Sequence, residues 1–243
     1  KVDWWFAYTE MSAKIVKGSG FPRERITVTD NAIDTISLIN ERNKLTEIQL
    51  NTLHHKLFPQ DGSIASNYPT GVYCGRLTKL KEIPFLLKSL ALIHEKIPEF
   101  RMIIVGDGID SGKVDLFCKK NNWVAWVGAK QGLDRVKYLA LGDVWLNPGM
   151  VGLAILDSFA MGIPLLTTNT RTHSPEITYL QHGVNGLVAN HDYQSYADTV
   201  VDLLKNKEYL AKLQKGSRDS SKLYSVEIMA EKFKDGVIKC LAT

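Results

Sequence analysis

The chain lacks most features that would tie it to a membrane, a nucleic acid or an oxidising compartment. No apolar run approaches the ~20 residues that span a bilayer, and no signal peptide is visible. The three cysteines, Cys74, Cys118 and Cys240, are odd in number and never spaced as CxxC. That argues against a disulfide framework or a zinc site and for a reducing compartment. There is no long basic run and no interleaving of aromatic with basic residues; 30 basic and 26 acidic residues leave a formal charge of +4 scattered along the chain. Nucleic acid is therefore not an expected partner. No Asp-x-Asp pair occurs, and His54 and His55 are adjacent, whereas metal ligation from one helix face needs i, i+4 spacing. They read as surface histidines. "VGDG" at 105 to 108 is not GxGxxG and has no acid at the dinucleotide spacing, so NAD is disfavoured. No metal and no cofactor is expected.

What is present is an ordinary globular composition, 44% hydrophobic and 23% charged over 243 residues, enough for one large or two small domains. The first residue is Lys1, and the apolar stretch Val2 to Tyr8 begins without a preceding turn, which reads as a cut through a longer protein. From residue 71 onward, strand-like runs (71 to 75, 101 to 106, 123 to 128, 143 to 148, 163 to 168, 186 to 190) alternate with helix candidates near 83 to 95, 113 to 121, 132 to 141 and 152 to 161. Such βαβ alternation predicts an α/β fold, a Rossmann-like parallel sheet with helices on both faces. Residues 35 to 57 look helical and 59 to 69 look like a loop. A helical region from about 193 to 241 closes the chain, with an interruption expected near Gly216 to Ser221. Ligands of such sheets bind beyond the carboxyl ends of the strands. The loops to search are 75 to 82, 106 to 108, 128 to 130 and 148 to 152.

Two of these loops carry chemistry. "GRLTKLKE" puts Arg76 and Lys81 on one strand-to-helix connection, a pairing of planar fork and mobile point charge that suits a diphosphate. Solvated basic loop residues are the alternative. "PGMVGL" places Gly149 and Gly152 around a helix start, where unpaired N–H groups bind anions and glycine permits close approach; a plain turn is the alternative there. Asp157 is the only charged residue between Val144 and Thr170. It lies ~7 to 8 Å along the helix axis from Gly152, about the step from a diphosphate to its ribose. A buried Asp paired with a nearby cation or capping a neighbouring element is the other reading. Ser174-Pro175-Glu176 has the chemistry of a helix start, and His173, which follows a strand end, either approaches a ligand there or is loop decoration.

Taken in order, "GRLTKLKE", "RMIIVGDG", "VAWVGAK", "KYLALGDVWLNPGMVGLAILDSFAMGIPLL", "SPEI" and "HGVNGLVA" resemble the donor-binding half of the retaining GT-B glycosyltransferases of the glycosyl transferases group 1 type, over about residues 28 to 240. The resemblance implies that Arg76 and Lys81 are the catalytic, diphosphate-binding pair. It places Gly149, Met150, Val151, Gly152 and Leu153 at the donor, with the amides of Gly152 and Leu153 on the phosphates. Asp157 stands where the family usually has a ribose-binding glutamate. Val127, Gly128, Ala129 and Lys130 would lie beside the base. It also implies residues 1–34 as the remnant of an acceptor domain and its crossover, with Asn31 and Asp34 in a structural turn, and residues 35–243 as the donor-binding domain.

Three positions depart from the family pattern: Gly149 replaces an acid near the donor sugar, Asp157 is one methylene shorter than glutamate, and Glu82 replaces a glycine. The implied partners are a nucleotide-diphospho-sugar donor and a glycan, lipid or small-molecule acceptor held by the absent domain, with no nucleic acid. The implied setting is polysaccharide biosynthesis in the cytoplasm, peripheral to a membrane in the parent protein. A GT-B-like epimerase or phosphorylase would keep the phosphate site but needs acid/base residues not found here. A non-catalytic nucleotide-binding or scaffold domain is the rival that Gly149 motivates.

Overall fold

The computed structural model describes residues 2–61, 64–65 and 68–242; residues 62, 63, 66 and 67 of the expected 59 to 69 loop fall outside the described residues. Six parallel strands form the main sheet: β3 (Thr70–Cys74), β4 (Arg101–Val105), β5 (Val124–Trp126), β6 (Val144–Leu146), β7 (Leu165–Thr168) and β8 (Gly186–Ala189). Their order is β5-β4-β3-β6-β7-β8. The chain runs outward from β3 to one edge, returns to its other side at β6, and runs outward again. This reversal beside β3 is the switch point at which doubly wound sheets leave a crevice.

Period-2 alternation divides the core between two faces, as a sheet covered on both sides requires. Tyr73, Met102, Ile104, Val144, Leu146 and Leu166 point into one layer, which is closed by α4 (Ile83–Lys96), α5 (Ser111–Lys120) and α8 (Tyr193–Lys205). Val72, Ile103, Val105, Trp145 and Leu165 point into the other. That layer is closed by α2 (Thr35–Lys44), α6 (Val136–Leu139) and α7 (Ala154–Met161).

The helical stretch expected over 35 to 57 is two helices, α2 and α3 (Glu47–Leu57), separated by a capping box in which Thr46 and Gln49 satisfy each other's backbone N–H groups. Asp34 caps α2 by accepting from Ser37 N at 2.9 Å, and Asn31 donates to Glu176 at 2.8 Å. Both side chains act in the turn before α2.

Two expectations need correction. The break expected near Gly216 to Ser221 is absent, because α9 (Lys207–Ser221) runs through it. Gly216 is there for close packing: a Cβ would sit 1.9 Å from the carbonyl oxygen of Val184. The breaks come instead where side chains cap new helices, at Asn206 before α9 and at Ser225 before α10 (Val226–Leu241). His54 is not a surface residue either; it is fully buried on α3, bonded to Asp61 at 3.0 Å, whereas His55 is exposed.

The opening residues form a small unit in which β1 (Trp5–Ala7) pairs in parallel with β2 (Ile26–Val28), and α1 (Glu10–Gly18) covers Ala7, Ala13 and Ile26. Helix α10 packs on it through stacked Phe6 and Phe233. Among the described residues, no helix is long and apolar enough to cross a membrane.

Candidate functional site

Beyond the carboxyl ends of β3 and β6, at the switch point, the structure opens a cavity of about 800 Å³. Arg76, Lys79 and Lys81 line it from the β3–α4 connection, Lys130 from the loop after β5, Arg135 from a 3-10 turn (Gly132–Arg135), and Met150, Ala154 and Asp157 from the β6–α7 segment. Five cations thus face one carboxylate, a surplus suited to an anion of more than one charge.

The two loops named from the sequence are locked together. Lys81 Nζ donates to the carbonyl of Met150 at 2.5 Å, and Met150 N donates to that of Leu80 at 2.8 Å. A Cβ on Gly149 would lie 2.5 Å from the carbonyl carbon of Lys81 and 2.6 Å from the oxygen of Leu80. The backbones touch, so no side chain fits at 149, and the acid of the family pattern has no place here. Burial lowers the Lys81 ammonium below the ordinary lysine range. Arg76 is exposed and forms no ion pair among the described residues, so its fork is available to a ligand.

The helix start is less open than the sequence suggests. Val151 N donates to His173 Nδ1 at 3.0 Å, while His173 Nε2 bonds the carbonyl of Thr168 at 2.8 Å. His173 is therefore a strut between the β6–α7 loop and the end of β7, and burial favours its neutral form. The backbone N–H groups of Gly152 and Leu153, the two expected to meet phosphate, have no acceptor among the described residues. Ser174 stands at the N-cap of a short 3-10 helix (Pro175–Tyr179), but its side chain makes no capping bond.

Asp157 has the partner that an isolated buried acid needs. Arg135 Nη2 lies 2.6 Å from its Oδ1, and the two side chains are only 20% and 16% exposed. Burial raises Asp157 above the usual carboxylate range, against the opposing pull of Arg135. Burial also pulls Arg135 down, but Asp157 outweighs it and the guanidinium ends up raised. Beneath them the Cys74 thiol is pushed up to about 12, first by burial and then by Asp157, so it is not a nucleophile at neutral pH. Lys130 reaches the cavity wall and stands 5.8 Å from the Tyr138 ring centroid. Val127, Gly128 and Ala129 sit behind it, with Val127 N and Gly128 O bonded to Ile104 and Gly106.

Sequence reasoning missed Lys79 and Arg135. Lys79 lies inside "GRLTKLKE" with nothing in its spacing to single it out, and the partner of Arg135 is 22 residues away, beyond any local pattern. Among the described residues, no cluster of three or more His, Cys, Asp or Glu could hold a metal ion.

The model of the family "Glycosyl transferases group 1" matches residues 68–206, more than half of the chain. The alpha-monoglucosyldiacylglycerol synthase of Acholeplasma laidlawii is 24% identical over 196 residues, covering 78% of this chain and 47% of the relative. The GtfA subunit of the Streptococcus parasanguinis UDP-N-acetylglucosamine–peptide N-acetylglucosaminyltransferase is 24% identical over 211 residues, covering 82% and 40%. The chain spans less than half the length of these two relatives. Among solved structures, Anabaena Alr3699/HepE in complex with UDP superposes with a TM-score of 0.77 at 18% identity, over 97% of this chain and 64% of that one. A glycosyltransferase from Rickettsia africae superposes with 0.78 at 14% identity, over 98% and 64%.

Proposed function

This chain belongs to the glycosyl transferases group 1 family and has the α/β architecture of one half of a GT-B fold; on that premise we propose that it binds a nucleotide-diphospho-sugar and supports transfer of the sugar, with retention and without a metal, to an acceptor. One observation carries the reading: five cations line a cavity at the switch point of the sheet, and the β6–α7 segment that forms one of its walls carries two unengaged helix-start amides. A diphosphate supplies the matching charge, and Arg76, Lys79, Lys81 and the amides of Gly152 and Leu153 would stabilise the charge that develops on it as it leaves. The UDP bound in the Anabaena neighbour supports uracil as the base to test first. Because the chain spans under half of its matched relatives, transfer itself is proposed for this chain acting with a second, acceptor-holding domain. Residues 1–34 would then be the remnant of that domain and its crossover.

Calorimetry with UDP, GDP and ADP tests this. One diphosphate is expected to bind at micromolar to millimolar concentration, and Arg76→Ala/Lys81→Ala to weaken it by a hundredfold or more, since each charged hydrogen bond is worth roughly 1.5 to 3 kcal/mol. Binding that survives the double variant would sink the assignment of phosphate to these loops.

Asp157 would exchange Arg135 for the ribose hydroxyls when the nucleotide enters. Wild type should then prefer UDP to 2′-deoxy-UDP by about tenfold, and Asp157→Asn should erase the preference. A preference retained in Asp157→Asn leaves the acid as the structural partner of Arg135 alone. The non-catalytic reading has Gly149 in its favour, and multiple turnovers by the two-domain enzyme would refute it.

A further inference from the structure

Of the five cations around the cavity, Arg135 alone is paired with an acid among the described residues. Its side chain lines the cavity wall and is only 20% exposed. The guanidinium makes two hydrogen bonds there, Nη2 to Asp157 Oδ1 at 2.6 Å and Nη1 to the carbonyl of Gly132 at 2.9 Å. The second stays within the arginine's own 3-10 turn, none of whose residues is buried. Asp157 is thus what holds the guanidinium to the rest of the fold. The buried Nε–H has no acceptor among the described residues. A guanidinium offers five donors in a planar fork, and one of them buried without an acceptor, in a side chain that lines a cavity, calls for a partner that the protein does not supply.

The exchange at Asp157 has a charge requirement. Ribose hydroxyls can donate to the carboxylate in place of Arg135, but as neutral groups they leave the guanidinium without a counter-ion. A largely buried charge stripped of its partner is strongly unfavourable, so the exchange needs an anion within reach of the released arm. A base carbonyl would accept a hydrogen bond and leave the charge unmatched. The diphosphate matches it: Leu153, whose amide would meet the phosphates, is the N-cap of α7 and lies four residues before Asp157, about 6 Å along the helix axis. A planar fork also binds two phosphate oxygens at once.

We propose that Arg135 is a further phosphate-binding residue, held in reserve on Asp157 and handed to the diphosphate when the ribose hydroxyls take the carboxylate. This rests on the donor-site reading above. Ribose and diphosphate are then read together: an anion that brings no ribose leaves Arg135 on Asp157 and binds only to the other cations and the helix-start amides.

The test is a mutant cycle read by calorimetry with inorganic pyrophosphate, which carries the charge and has no hydroxyls to exchange. Asp157→Asn removes the acid that holds Arg135, so pyrophosphate should bind it more tightly than wild type. Loss of a negative charge supplies part of that gain, and Asp157→Asn made in an Arg135→Met background measures that part by itself. The gain with Arg135 present is expected to exceed the gain in the Arg135→Met background by about tenfold or more, the worth of a charged hydrogen bond. Arg135→Gln, whose amide can still donate to Asp157, takes the place of Arg135→Met if the latter does not fold. Gains that differ by less than threefold overturn the hand-over and leave Arg135 as a structural partner of Asp157, with the donor site intact as long as wild type binds a nucleoside diphosphate. Failure of wild type to bind UDP, GDP or ADP overturns the donor site, and the hand-over with it.

Discussion

Asp61→Ala is expected to lower the stability of the protein by about 3 to 5 kcal/mol, and its melting temperature by on the order of 10 °C for a chain of this size, while leaving nucleotide affinity within twofold. The Asp61 side chain is only 1% exposed and accepts from Arg101 Nε at 2.6 Å, from Arg101 Nη2, and from His54 Nε2 at 3.0 Å. Arg101 begins β4 at the amino end of the sheet, spends its remaining donors on the carbonyls of Pro98 and Phe100, and lies 4.8 Å from the Tyr68 ring. The cluster clamps α3 and the loop after it to the end of the sheet opposite the cavity. Removing the carboxylate strands a largely buried guanidinium, and that uncompensated charge is the main loss. Asp61→Asn should be nearly as damaging, since it keeps the shape and loses the charge. Urea melts would decide it: a loss under 1 kcal/mol for both variants would mean that Arg101 finds other partners at little cost.

The same clamp gives stability a definite pH dependence. Burial holds His54 below the ordinary histidine value of 6.5, outweighing the upward pull of Asp61. Between the folded and unfolded values the unfolded chain therefore binds the extra proton, and stability falls as pH drops through 6.5. His54→Gln should flatten this part of the profile.

Much of the fold was legible because bounded apolar runs leave few alternatives. All six strands of the main sheet lie where the runs "GVYCG" to "GLVAN" place them, and βαβ alternation dictates a parallel sheet covered on both faces. What local pattern could not show was pairing across long separations. Asp61 and Arg101 are 40 residues apart, and Asp61 sits in a polar stretch that reads only as a loop. Asp157 announced itself as an acid in need of a partner, but nothing near it in sequence named Arg135. Gly216 misled for the opposite reason: glycine punctuates helices often enough to suggest a break, and here it only lets α9 approach a neighbouring carbonyl. At the cavity, Arg76 and Lys81 were readable from residue type and spacing. The engagement of Met150 N by Leu80 and of Val151 N by His173, which leaves the Gly152 and Leu153 amides without an acceptor among the described residues, needed coordinates.

Gly149→Ala should be strongly disruptive, and Gly152→Ala nearly silent. At 149 the new Cβ would fall 2.5 Å and 2.7 Å from the carbonyl carbon and oxygen of Lys81 and 2.6 Å from the oxygen of Leu80. All three are backbone atoms, so no side-chain rotation relieves the clash and the two loops must separate. Overpacking of this kind costs roughly 1 to 3 kcal/mol, and separation also breaks Lys81 Nζ to Met150 O and Met150 N to Leu80 O, each worth about 1 kcal/mol. The expected total is about 3 to 5 kcal/mol. Diphosphate affinity should drop at least tenfold, because Lys81 loses the carbonyl that orients it. At 152 the nearest atom to a new Cβ is Ser174 Oγ at 3.4 Å, an ordinary contact, and the amide proton that would meet phosphate is retained. Stability and affinity should therefore stay within 0.5 kcal/mol and twofold of wild type, as for a surface change. If both alanine variants behave alike, the loops are not in backbone contact in solution, and the reason for glycine at 149 must be sought in the ligand. If they differ as expected, glycine at 149 is a packing requirement, the acid missing there reflects steric exclusion and not decay of the site, and the cradle remains fit to bind a donor.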